Sequence, residues 1–65
     1  MFIKLTGAKS GQSVFILMET IQVIDRFEGD KDGKMTAVCV KDREGFIGVQ
    51  ETPEQIMEMI ENARN

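Results

Sequence analysis

A mainly β version of the α+β class is the fold this sequence predicts: about five strands in a strongly curled or barrel-like antiparallel meander, with one C-terminal amphipathic helix. Three observations point there. Residues 1 to 50 are short β-branched and aromatic runs separated by polar breaks that each contain glycine. From residue 52 the pattern switches to helical periodicity behind a complete helix-start signal. The chain has only 65 residues, which leaves room for a single domain, 1–65, with one small core.

Strands are expected near 2–6, 13–18, 21–27, 35–40 and 46–50. The breaks "GAKSGQ", "DKDG" and "KDREG" carry glycines able to take the positive φ that a tight reversal needs. Asp32-Gly33 between two alternating runs is a strong hairpin signal. A helix is expected over 53–63. Thr52 can cap its first turn, Pro53 sits where a missing N–H costs nothing, and Gln55 completes a capping box. Ile56, Met59, Ile60 and Ala63 form one apolar stripe, with Glu54, Glu58 and Glu61 largely opposite. The early glutamates also suit the positive end of the helix dipole.

Strand alternation bears on assembly. Ile3 and Leu5 oppose Lys4 and Thr6, and Ile47 and Val49 oppose Gly48 and Gln50, so the first and last strands are expected to have one apolar face. "VFILM" differs, with Val14, Ile16 and Met18 on one side and Phe15 and Leu17 on the other; "MTAVCV" is likewise apolar on both faces. A helix of about 12 residues, roughly 18 Å long, covers only one face of such a sheet. The second face needs a partner, and copies of the same chain are the expected cover. Phe15, Leu17 and Met35 on the strands, and Met57 off the helix stripe, are the expected contact residues.

Composition narrows the alternatives. A core this small needs reinforcement, and one cysteine with no histidine offers neither an internal disulfide nor a zinc site, which leaves self-association. No run is long enough to span a membrane, and "MFIKLTGAKS" lacks the marks of a secretory signal, so a cytoplasmic protein is expected. The net charge of −3 arises entirely after residue 50, where Glu51, Glu54, Glu58 and Glu61 face Arg64 alone. That sign disfavours nucleic acid as a partner.

Each chemical motif has a plainer reading. In "EGDKDGKM" the placing of Gly33 at the sixth position of a calcium loop puts Glu28, Asp30 and Asp32 at the first, third and fifth, but the twelfth is Cys39, which cannot give a bidentate carboxylate. Cys39 between Val38 and Val40 has no histidine to activate it and reads as a small buried hydrophobe. Ser10 and Ser13 lack any nucleophile context, and "GAKSG" lacks the spacing of a phosphate loop. The pairs Asp25 with Glu28 and Asp42 with Glu44 lie at strand ends beside Arg26 or Arg43, where solvated surface is the default. No catalytic residue, metal or cofactor is expected. Arg26, Arg43, Lys4 and Lys41 are the candidate ligands for a small anion, if an oligomer brings them together.

"MFIKLT", the "IQVI" run and "VQETPEQIMEMI" give the chain a layout that resembles small FlbD-type proteins, which open with a similar "IKLT" strand and close with a V-x-E-(S/T)-x-E-(E/Q)-I strand-to-helix junction. The resemblance spans most of the chain and implies a cytosolic protein without catalytic motif, either flagellum-associated or phage-encoded. The chain departs from the flagellar members at "TGAKSGQS" and in its "EGDKDGKM" hairpin. The expected function is that of a non-enzymatic homo-oligomer, a phage or bacterial accessory factor that binds and blocks a host protein. The alternatives are an oligomer that sequesters a small anion such as a signalling nucleotide, and a flagellum-associated accessory protein.

Overall fold

A computed structural model describes the backbone of residues 1–29 and 33–64 and the side chains of 1–26 and 35–64. Its elements run β1 (Phe2–Thr6), β2 (Ser13–Leu17), a 3-10 turn (Met18–Thr20), β3 (Ile21–Gly29), β4 (Gly33–Val40), β5 (Ile47–Val49) and α1 (Pro53–Arg64). All strand pairs are antiparallel. Asp32 of the expected hairpin turn lies outside the described residues, but the strands on either side pair as far as Gly29 and Gly33.

The strands do not close into a barrel. They form a two-stranded sheet, β1-β2, and a three-stranded sheet, β3-β4-β5. The two meet edge to edge where Gly7 bridges Val49, Gln50 N donates to Thr6 O at 2.9 Å and Ala8 N donates to Gly48 O at 2.9 Å. The strand order across the joined layer is therefore β2-β1-β5-β4-β3. Closure would require β2 to pair with β3. The two are instead linked only in sequence by the 3-10 turn, in which Thr20 Oγ1 donates to Leu17 O at 2.7 Å, and no ladder between them is formed among the described residues.

β3 contains a feature that simple alternation does not predict. Ile21 pairs with Val40 and Val23 with Cys39, which leaves Gln22 as an extra residue in a β-bulge. In a regular strand two residues three apart point to opposite faces. The bulge reverses that parity, so Ile21 and Ile24 both pack against the core.

The core lies on one side of the joined layer. Ile3, Leu5, Ile16, Val38 and Val49 from the strands meet Ile56 and Ile60 of α1. Met59 packs against this cluster and Ala63 is half-buried, as the helix stripe requires. The helix start is reciprocal: Gln55 N donates to Thr52 Oγ1 at 3.1 Å, and Thr52 N donates to Gln55 Oε1 at 2.8 Å. Positive φ falls at Gly11 and Gly45, and also at Asp42 (φ 64°), a residue type that tolerates this region in turns.

Candidate functional site

Two surfaces are built by this arrangement. The first is the outer face of the layer, turned away from α1. On β1 and β2 it presents Phe2, Lys4 and Thr6 beside Ser13, Phe15 and Leu17, with Phe2 directly across from Leu17 and Lys4 across from Phe15. Phe2 and Phe15 are each 64% exposed and Leu17 38%, so the apolar second face expected of β2 is present. The expectation of a single apolar face on β1 does not hold, because Phe2 shares the outer side with Lys4. That signal was available in the alternation of "FIKLT".

The outer face continues over β5, β4 and β3 through Gly48, then Met35, Ala37 and Cys39, then Val23 and Asp25. Met35, an expected contact residue, is only 7% exposed and so is covered within the chain; its Sδ lies near Gly48, as does an edge of the Phe46 ring. A central strand shields small and flexible side chains with its neighbours, which sequence spacing does not reveal. Cys39 is half-buried rather than fully buried. Val23 stays 46% exposed and Phe46 53%.

The second surface is a groove of about 390 Å³ between β3 and α1. Met18, Ile21, Ile24 and Ile60 form its apolar part, and Gln22 of β3 with Met57, Glu61 and Arg64 of α1 complete its lining. Met57 is half-exposed there, consistent with its place off the stripe. Nearby, the N-terminal ammonium donates to Glu19 Oε1 at 2.8 Å. That hydrogen bond, helped by the residue's own backbone N–H, holds the Glu19 carboxyl below the usual value.

The four candidate cations do not converge within one chain. Lys4 is on the outer face of β1, whereas Arg26 is on the inner side of β3, its Nη1 donating to Thr36 Oγ1 at 3.2 Å. Lys41, whose backbone N donates to Thr20 O, and the exposed Arg43 lie beyond the opposite end of β3. Six residues of strand, about 20 Å, separate Thr20 from Arg26.

Glu51, marked in the sequence only by its charge and its place in the strand-to-helix junction, joins the two sheets. Its carboxylate accepts from Thr6 N at 2.8 Å and Thr6 Oγ1 at 2.9 Å, and its backbone carbonyl accepts from the Thr36 hydroxyl. Thr36 is fully buried and its oxygen also takes the Arg26 hydrogen bond, so both its donor and its acceptor are used. Beyond the Gly7–Val49 bridge, the carboxylate satisfies a β1 amide that a longer β5 would have paired.

Among the described residues no group of three His, Cys, Asp or Glu side chains gathers as metal ligands, and no helix is long and apolar enough to cross a membrane. Comparisons of the chain with protein-family models, curated proteins and solved structures found no match.

Proposed function

We propose that this chain is a non-enzymatic binding protein that self-associates through the outer face of its strands and offers its helix flank to a partner protein. The observation that carries the reading is the exposure of Phe2, Phe15 and Leu17 on one face of a two-stranded sheet whose other face is already buried by α1. Paired aromatic and branched side chains open to water are a marker of an interaction surface. With that face covered by a second copy, the groove with Met57, and the neighbouring Glu54, Glu58 and Glu61, remain to meet a different protein. A flexible thioether suits an adaptable contact, and Glu54, Glu58 and Glu61 against the single Arg64 leave this flank net acidic toward a basic partner.

In this reading the protein is a cytoplasmic accessory factor of phage or bacterial type that occupies a host protein's surface. The two segments that carry the FlbD-type resemblance, "IKLT" and "VQET", meet in space through Thr6 and Glu51. This joint accounts for their occurring together as a matter of folding, so the resemblance supports the architecture and leaves the flagellar role as a separate proposal. Sequestration of a small anion is the alternative, and it requires copies to bring together cations that one chain holds apart.

Native mass spectrometry decides among these. An integer multiple of 7.3 kDa that becomes monomeric in Phe15→Glu is the expected result. A wild-type chain that stays monomeric at tens of micromolar would overturn the reading. A multiple carrying a discrete extra mass of a few hundred daltons would favour the sequestering alternative.

A further inference from the structure

The outer face carries only two described charged side chains on its strands, and they are of opposite sign. Lys4 stands on β1 directly across from the exposed Phe15. Asp25 stands on β3, two residues along the same face from the exposed Val23. Each charge is therefore next to an exposed hydrophobic side chain. In the order β2-β1-β5-β4-β3 the two strands are three spacings apart, about 14 Å across the layer, which is too far for an ion pair within one chain. Neither makes an ion pair with another described residue.

We infer that the occupant of this face is a second copy of the chain, related by a two-fold axis lying in the interface and passing between β5 and β4 near Met35. This inference rests on the self-association proposed above and specifies its geometry. A two-fold exchange sets Lys4 of one copy against Asp25 of the other and repeats the contact in reverse, which is the self-complementarity of an isologous interface. The strand registers extend the match. The operation that superposes Lys4 on the partner's Asp25 also lays Phe15 over the partner's Val23, because Phe15 lies beside Lys4 on the neighbouring strand and Val23 lies beyond Asp25 along β3. Two apolar contacts and two opposite-charge contacts then form at once. An arrangement that stacked β1 on β1 about an axis running along the strand would instead bring two Lys4 ammonium groups together, which like-charge repulsion opposes.

Charge reversal tests this without touching the core. Lys4→Glu and Asp25→Lys are made singly and together, with far-UV circular dichroism to verify folding, and association is measured by sedimentation equilibrium. Each single reversal places like charges opposite one another twice per dimer and is expected to weaken association by about tenfold or more; the double variant restores the pairing with its polarity inverted and is expected to return to within about threefold of wild type. Carbodiimide coupling of a mixture of unlabelled and 15N-labelled wild-type protein gives a second readout, independent of whether the variants fold. An amide between the Lys4 amine and the Asp25 carboxylate, formed with loss of water and found as mixed-isotope peptides, is the expected product. Wild-type oligomers whose association ignores both single reversals, or a double variant no better than the singles, would overturn the geometry while leaving self-association standing. A monomeric wild-type chain would remove both.

Discussion

The two faces of β1 and β2 differ far more in environment than in composition. Inward, Ile3, Leu5 and Ile16 are 5%, 0% and 5% exposed; outward, Phe2, Phe15 and Leu17 are 64%, 64% and 38% exposed on the same two strands. Alternation supplies apolar side chains to both sides. What separates the faces is α1, which follows β5 so closely that it must fold back onto one side, and that side becomes the core. The comparison teaches that hydrophobicity of a strand position does not by itself say whether the residue stabilises the chain or waits for a partner.

The sharpest way to break this comparison is to truncate one residue from each face. Leu5→Ala opens a cavity in the core and is expected to cost about 2–5 kcal/mol, comparable with the whole stability of a domain this small, so its urea transition should collapse. Phe15→Ala, measured on dilute monomer, is expected to stay within about 0.5 kcal/mol of wild type and to lose its stability gain at high concentration. Equal losses for the two in the monomer would mean that the outer face is also core.

A smaller effect concerns the joint between the sheets. Glu51→Ala leaves the Thr6 amide and hydroxyl without their acceptor in a half-buried place and is expected to cost about 1–3 kcal/mol, with faster hydrogen exchange at the Thr6 amide. Unchanged exchange there would mean that the Gly7–Val49 bridge alone holds the sheets together.

The smallest effect is the pH dependence of Glu19. Its folded carboxyl titrates below the ordinary value of 4.5, so the unfolded chain takes up the proton first as pH falls. The contribution is present above the unfolded value and is lost as pH falls through the folded one. Because both partners are exposed, salt should shrink it further. Glu19→Gln is expected to flatten this part of a Tm-against-pH curve, and an unchanged curve would show that the ion pair contributes nothing measurable.

Much of the architecture was legible from short stretches. Thr52, Pro53 and Gln55 announce the helix because a capping box is a contact among residues three apart. The stripe Ile56, Met59, Ile60 and Ala63 names its buried side because helix geometry maps spacing directly onto face. Strand β2 was legible on both faces for the same reason. The candidate anion site is of another kind: Arg26 and Lys41 were grouped by charge for an oligomer to bring together, and within one chain the length of β3 holds them at opposite ends, so its assembly belongs to contacts between copies. The bulge at Gln22 was hidden, since its effect appears only when Ile21 and Ile24 are seen to share a face.

Local chemistry thus determined, from the sequence by itself, where most strands begin, where the helix starts and which helical side is apolar, because each depends on neighbours a few residues away. Tertiary structure alone decided that the strands remain two sheets instead of closing, that Glu51 joins them to Thr6 from 45 residues away, that Met35 is covered while Phe15 is not, and that Lys4 and Asp25 share one open face. Those outcomes depend on which distant segments meet, and periodicity along the chain carries no record of that.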